Sequence, residues 1–472
     1  MVVGSVVKGC QVVVIGGGPG GYVAAIRLAQ FGKDVIVVEK RARMGGVCLN
    51  EGCIPSKALI HAADVAFEAG HAQAMGVTVE NVSVDLAKMV QWKDGIVERL
   101  TGGVSFLFQK NGVEVVAGEA RFIDDRRLAV ATEDGVIEIE FSQAVIATGS
   151  SPMGLKGFEV DGETVIGPTE ALSLQEIPKK LVVIGAGYIG LELGTVFRKL
   201  GSEVTIVEFL PEIFPTMDPE VGKTLKRSLK KLGIKVHLSH QAQTLESGSP
   251  AVVIAVDRDK DTTLRLEADK VLVSIGRVPN ASGLDLEAIG VALDDNGFVS
   301  VNEKMQTNVP GIYAIGDVVG GALLAHKAYQ EAKVAAEVIC GHAAAFDSLV
   351  PAVVYTDPEI AVVGMSETEA REAGHEVVTG SFAFKASGRA MSLNSTDGFI
   401  KAIADAESGL LLGFVAVGKG VSELIGEATL ALEMGAFLED IALTIHSHPT
   451  MSEAVQEAVE AALGKAVHQV NK

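Results

Sequence analysis

The sequence predicts an α/β protein made of two similar strand–helix–strand units followed by a C-terminal antiparallel α+β unit. Three observations predict it. Two glycine-rich loops each follow an apolar run and open a helical pattern, and the two repeat with identical internal spacing. From about Pro351 the pattern changes to alternating strands and amphipathic helices. At 472 residues the chain has room for roughly three domains.

In the first unit, the apolar run Gln11–Ile15 leads into Gly16-Gly17-Gly18-Pro19-Gly20-Gly21. A helical pattern then runs from Tyr22 to Phe31, and a second strand, Val35–Val38, ends at Glu39. The pattern recurs as Leu181–Ile184, Gly185-Ala186-Gly187-Tyr188-Ile189-Gly190, a helical stretch to Leu200, and Val204–Val207 ending at Glu208. Gly16 to Gly185 and Glu39 to Glu208 are each 169 positions apart. Ala144–Ser150 reads as a buried strand stopping at a glycine turn, with Val271–Arg277 as its counterpart, and Ser151–Gly167 as a crossing between units. Beyond Pro351 the strands expected are Ala361–Val363, Phe399–Ala404 and Leu411–Val417.

Composition narrows the function. A formal charge of −20 repels phosphate backbones and anionic lipid, and one Trp and five Tyr leave few stacking platforms, so neither nucleic acid nor membrane is expected as a partner. No apolar run reaches the length of a membrane span, and Met1–Cys10 lacks the pattern of a secretory leader, so a reducing cytoplasm is expected. Four cysteines, Cys10, Cys48, Cys53 and Cys340, are too few and too irregular for a secreted disulfide scaffold. Cys10 and Cys340 read as small buried hydrophobes.

Each glycine loop has an acidic residue 18 positions after its last glycine. The first glycine (Gly16, Gly185) makes the turn, and the second (Gly18, Gly187) admits a pyrophosphate to the backbone. The third (Gly21, Gly190) lets helix and strand close up, and the carboxylate of Glu39 or Glu208 accepts ribose hydroxyls. Both units therefore read as Rossmann-like nucleotide sites. A carboxylate repels a 2′-phosphate, and Val207–Pro211 offers no basic residue, so the second site is expected to take NAD rather than NADP.

Cys48 and Cys53 lie in Gly45-Gly46-Val47-Cys48-Leu49-Asn50-Glu51-Gly52-Cys53-Ile54-Pro55-Ser56-Lys57. Five positions of regular helix rise about 7.5 Å, beyond the Cα reach of a disulfide, so the backbone must bend between them, and Gly52 permits it. Closing so small a ring gains only about 2 kcal/mol, which makes the pair a poor staple and a readily opened redox bond. No further cysteine or histidine follows within seven residues, so no metal is expected. Near the C-terminus, Thr450-Met451-Ser452-Glu453 has the form of a helix capping box, with Thr450 at the N-cap and Glu453 at N3. On that reading His448 is an ordinary loop residue.

These motifs together resemble the pyridine nucleotide-disulfide oxidoreductases. The resemblance rests on the GGVCLNEGCIPSK segment, both glycine loops, Ala147–Ser150, Gly276–Asn280, Tyr313–Asp317, Leu324–Ala328 and His446–Glu453, and it covers essentially the whole chain. It implies FAD at the first Rossmann-like unit, NAD at the second, and a C-terminal α+β dimerisation domain that makes a homodimer. The domains expected are 1–150 and 151–279 for FAD and NAD, 280–350 as a central segment completing the FAD site, and 351–472 as the interface. Lys57 is then expected near the flavin ring, Gly118 at the adenine side and Asp317 at the ribityl chain, with Ala325 over the isoalloxazine. Thr148, Gly149, Ser150 and Gly276 fall in cofactor loops, and Glu192 is expected to help position the nicotinamide.

The same resemblance makes Cys48 the interchange thiol, Cys53 the thiol nearer the flavin, and His448 a base oriented by Glu453, reaching the dithiol from a second copy. The implied substrate is a dithiol on a lipoyl group, carried by the acyltransferase core of a 2-oxo acid dehydrogenase or by the lipoyl protein of glycine cleavage. Members that reduce glutathione prefer NADP and typically have lysine where this chain has Ser56, and those that reduce mercuric ion carry a C-terminal cysteine pair. A flavoprotein scaffold without turnover would have no need of both cysteines and His448. Lys419, beside the interface segment, departs from the family pattern.

Overall fold

The computed structural model describes residues 7–471. Met1–Val6, which carry most of the leader reading, and Lys472 lie outside the described residues.

The first unit is a seven-stranded sheet. Strands Glu114–Ala117, Val35–Glu39, Val7–Ile15 and Gly135–Ile146 lie side by side in that order, and Ile312–Ala314 adds to the last of them. These contacts are all parallel, with Val12–Ile15 paired to both Val35–Val38 and Gln143–Ile146. The early half of Gly135–Ile146 instead pairs antiparallel with Arg127–Thr132, which pairs with Glu119–Asp124. Parallel strands buried on both faces read as continuous apolar runs, and Val12–Ile15 and Ile36–Val38 are fully buried.

The second unit repeats the plan. Lys235–His237, Glu203–Val207, Lys180–Ile184, Lys270–Val273 and Val165–Ile166 form a parallel sheet, beside an antiparallel trio of His240–Glu246, Ala251–Asp257 and Thr263–Ala268. The internal echo seen in the loops thus extends to the sheets. The expected strand Ala144–Ser150 is the buried end of a longer strand. It stops at Ile146, and Ser150–Pro152 pairs separately with Arg277–Pro279, tying the two units together.

The C-terminal unit is a five-stranded antiparallel sheet in which Ile360–Gly364, Leu411–Val417 and Phe399–Asp405 are central, as expected. Ala352–Val354 and Val377–Ala383 are its edges. One apolar cluster joins the units: Leu59 and Ala63 of helix Cys53–Gly70, Leu191 and Phe197 of helix Tyr188–Lys199, and Ile360 and Phe399 of the C-terminal sheet. Each of the leucines, the isoleucine and the phenylalanines there contributes about 1.5–3 kcal/mol. Helix Tyr188–Lys199 is buried from Gly190 to Phe197, because the sheet covers one face and helix Cys53–Gly70 the other. Lys419 reaches Glu68 near the end of helix Cys53–Gly70, an exposed ion pair at 2.5 Å that links the C-terminal unit to the first. No helix among the described residues is long and apolar enough to cross a membrane.

Candidate active site

The two glycine loops are superposable in their bonding. Gly16 and Gly185 have φ of +105° and +103°, and a Cβ on either would sit 2.4 Å from Ala147 O or 2.5 Å from Ser274 O. A Cβ on Gly21 would lie 1.8 Å from Gly16 O, and one on Gly190 2.3 Å from Gly185 O. Packing therefore demands glycine at the first and third positions. The second position differs. The nearest atoms to a Cβ are 3.7 Å away at Gly18 and 4.0 Å at Gly187, so nothing in the protein forbids a side chain there. Both residues are helix N-caps whose following amides receive no side-chain cap. Open backbone at a positive helix end suits a pyrophosphate, and in this respect the residues fit the dinucleotides that the resemblance implies.

Glu39 and Glu208 are held alike. Glu39 accepts from Gly17 N at 2.6 Å and Arg41 N at 2.9 Å, and Glu208 from Ala186 N at 2.6 Å and Leu210 N at 2.7 Å. The absence of a basic residue beside Glu208 holds only along the chain. The hairpin after strand Ala251–Asp257 brings the Arg258 guanidinium 3.7 Å from the Phe209 ring centroid, where it donates to Phe209 O at 3.1 Å.

The first loop opens onto a cleft of about 530 Å³, within the usual range for a cofactor site. Gly16, Gly18, Glu39 and Gly118 line it. Gly118 has no room for a side chain, since a Cβ would lie 2.5 Å from Ala131 O. Thr148, Gly149, Ser150, Asp317 and Ala325 also line it, as do Cys48, Cys53, Lys57 and Glu192. Gly185, Gly187, Glu208 and Gly276 lie outside this cleft. Asp317 does not cap a helix with its side chain. It accepts from Ser150 Oγ at 2.5 Å, while Arg277 donates to Ser150 Oγ at 2.7 Å and Ser150 O at 2.6 Å. Asn280 locks the preceding loop by donating to Thr148 O at 2.9 Å and accepting from Thr148 Oγ1 at 2.7 Å through its own carbonyl. Arg277 and Asn280 stood in a family segment, yet nothing in the sequence pointed to these bonds.

The dithiol sits where two helices meet. Cys48 is in helix Gly46–Glu51 and Cys53 begins helix Cys53–Gly70, with Gly52 as the break between them. The bend expected at Gly52 is present, and a Cβ there would lie 3.0 Å from Val47 O. Both sulfurs are free thiols, Cys53 exposed to the cleft and Cys48 half-buried. Donating a hydrogen bond to Cys53, together with burial, holds Cys48 protonated far above the usual thiol range. Accepting that bond brings Cys53 down to about 7 against the opposing effect of burial, and the Lys57 charge lowers it further. The reduced pair is thus asymmetric, its negative charge favoured on Cys53 over Cys48. Burial instead pushes Cys10 up to about 12, leaving it inert.

Lys57 is held on two sides. Its Nζ lies 2.8 Å from Glu192 Oε2 and 4.6 Å from the centre of the Tyr355 ring, and Tyr355 N donates to Glu192 Oε1 at 2.9 Å. Glu192 is 3% exposed with both oxygens engaged.

At the C-terminus, His448 Nδ1 is 2.8 Å from Glu453 Oε1, while Glu453 Oε2 accepts from Thr450 N at 2.8 Å. One carboxylate thus orients the histidine and serves half of a capping box. The other half fails: Ser452, not Thr450, is the N-cap, and Glu453 is the first residue of helix Glu453–Ala462 rather than N3. The Thr450 hydroxyl is used elsewhere, donating to Ser447 O at 2.7 Å. Burial would raise the Glu453 carboxyl, but the Thr450 amide and His448 outweigh it and hold it low. His446 is buried between Glu427 and Thr444 O. His448 is 81% exposed at its side chain and does not line the cleft, so one copy of the chain does not bring it to Cys48.

Two family models match, pyridine nucleotide-disulphide oxidoreductase over residues 10–332 and its dimerisation domain over residues 350–459. The chain belongs to the pyridine nucleotide-disulphide oxidoreductase family, and it is an oxidoreductase. Proteins named dihydrolipoyl dehydrogenase from Haloferax volcanii and Bacillus subtilis are each 48% identical to it, with all of both chains covered. Among solved structures, LpdA of Mycobacterium tuberculosis matches with a TM-score of 0.88 at 27% identity, covering 95% of this chain and 99% of that one. The HOCl-induced flavoprotein disulfide reductase RclA of Escherichia coli matches with a TM-score of 0.85 at 27% identity and the same coverage.

Proposed function

We propose that the protein oxidises protein-bound dihydrolipoamide to lipoamide with NAD as acceptor, through a Cys48–Cys53 disulfide and FAD. The observation that carries this reading is an asymmetric dithiol opening onto the same cleft as the first nucleotide loop. Full-length similarity to dihydrolipoyl dehydrogenases supports the choice of substrate.

The Gly16–Gly21 loop, Glu39, Gly118, Thr148–Ser150, Asp317 and Ala325 would hold FAD, and the Gly185–Gly190 loop, Glu208 and Gly276 would hold NAD. FAD supplies two-electron chemistry between the dithiol and the nicotinamide. On the protein side, His448 of a second copy, oriented by Glu453, takes a proton from the first substrate thiol. The thiolate attacks Cys48 Sγ, a mixed disulfide forms, and Cys53 leaves as a thiolate that its low pKa favours. The second substrate thiol, deprotonated in turn, closes the lipoyl disulfide and expels Cys48, which takes up a proton. Two electrons and the disulfide have then exchanged places.

A homodimer fits this reading, because His448 does not line the cleft and the C-terminal unit that carries it leaves Met434, Leu443 and Ile445 exposed. We read residues 1–150, 151–279, 280–350 and 351–472 as FAD, NAD, central and interface segments, with the strand Ile312–Ala314 supporting the central assignment. The partners are a lipoyl-bearing acyltransferase core or the glycine cleavage lipoyl protein, in a reducing cytoplasm where a reversible dithiol can cycle. The test is NADH formation from dihydrolipoamide by the FAD-loaded protein. Cys48→Ser should abolish it with FAD retained. Turnover unchanged in that variant, or activity with glutathione and NADPH alone, overturns the reading.

A further inference from the structure

The mechanism leaves one contact at the dithiol unused, and it comes from outside both nucleotide units. Tyr355 follows strand Ala352–Val354 of the C-terminal unit. Its ring faces the Lys57 ammonium at 4.6 Å, and its backbone amide donates to Glu192 at 2.9 Å, on the oxygen that Lys57 does not use. Cys53 and Lys57 are four residues apart on one helix, so their side chains share a face one turn apart. We propose that Tyr355 is a positioning residue for the reaction: its ring and amide hold the Lys57–Glu192 pair so that the ammonium stays directed at Cys53. This deepens the proposed function and rests on it.

The physical case is one of alternatives for a long side chain. Lys57 is a flexible ammonium with about a third of its side chain exposed, and it could turn to water. Glu192 alone constrains only one direction, as a point contact. The ring closes another direction by cation–π attraction, and the amide fixes the carboxylate that Lys57 pairs with. A positive charge kept beside Cys53 favours its thiolate, the form that leaves during interchange. The contact also couples the C-terminal unit, which carries the apolar face expected to pair with a second copy, to the chemistry of the dithiol.

The test uses FAD-loaded Cys48→Ser, in which Cys53 is the one thiol of the pair and serine keeps a hydrogen-bond donor to it. The Cys53 titration is read as ultraviolet thiolate absorbance, by difference against Cys48→Ser/Cys53→Ser. Tyr355→Leu should move the midpoint up by about one pH unit, a roughly tenfold fall in thiolate near neutral pH, and Tyr355→Phe should leave it in place. If Tyr355→Leu loses FAD or fails to fold, mono- and trifluorinated phenylalanine at 355 keep the shape while weakening the ring's face, and the midpoint should climb along that series. A midpoint unmoved in Tyr355→Leu, or flat across the fluorinated series, overturns the proposal. A parent that shows no Cys53 ionisation near neutrality at all would instead count against the redox-pair reading itself.

Discussion

Replacing Lys199 with methionine should separate the units that enclose the dithiol. Lys199 belongs to helix Tyr188–Lys199, and its side chain is 6% exposed. Its Nζ lies 2.6 Å from Asp64 on the dithiol-bearing helix and 2.6 Å from Asp357 in the C-terminal unit. Methionine keeps the volume but leaves two carboxylates facing each other across one gap. Removing one partner of a fully buried ion pair costs about 3–5 kcal/mol, and an exposed pair contributes about 0–1 kcal/mol. Here the cation is buried and both carboxylates are about two-fifths exposed, so a loss of about 2–3 kcal/mol near neutral pH is expected.

The loss should depend on pH in a defined direction. Burial already holds the Asp64 carboxyl above its ordinary value, against the pull of Lys199, and without Lys199 it rises further. An acid whose folded pKa is raised binds more protons folded than unfolded, so the variant should recover stability relative to the parent as pH falls. The assay is urea unfolding of the FAD-loaded protein at about pH 7 and about pH 5, following flavin release as the first transition, since a multi-domain chain has no single unfolding free energy. Adding Asp64→Asn to Lys199→Met should restore about half of the loss at neutral pH, the two residues being in contact. An unchanged midpoint in Lys199→Met, or a gap from the parent that widens on acidification, would refute the reasoning.

Gly18→Ala and Gly21→Ala should part company: the first should fold and lose FAD affinity, whereas the second, with a Cβ 1.8 Å from Gly16 O, should fail to accumulate as soluble protein. Isolated yield and FAD content check both. Glu453→Gln should lower turnover about 100-fold with the FAD spectrum intact, because His448 loses its carboxylate; a steady-state assay showing less than a few-fold change would remove Glu453 from the mechanism. Glu208→Gln should raise kcat/KM for NADP relative to NAD about tenfold by removing a charge of about 1.4 kcal/mol in effect, and Arg258→Gln in that background should reverse the gain. An NADP preference indifferent to Arg258 would leave that arginine as a clamp on Phe209 and nothing more.

The amino-acid sequence by itself determined the local machinery. The bend at Gly52 and the strand–helix order depend on contacts within a few residues. Gly21 packs on Gly16 O five positions back, and the spacing from Gly21 to Glu39 is set by one helix and one strand. The sequence also exposed the duplication, because two copies of a unit with the same geometry need the same small residues at the same intervals. The tertiary structure alone decided what lies between units. Tyr355 and Lys57 are almost 300 positions apart, Arg258 reaches Phe209 over a hairpin, and Lys199 gathers carboxylates from two other units. Such pairings leave no period in the text, since they arise only after apolar faces have packed and brought distant charged groups into shared, partly desolvated space. The same physics explains the half-built capping box at Thr450: one carboxylate satisfies a backbone amide and a histidine together, and the helix start at Glu453 is set by folding rather than by the motif.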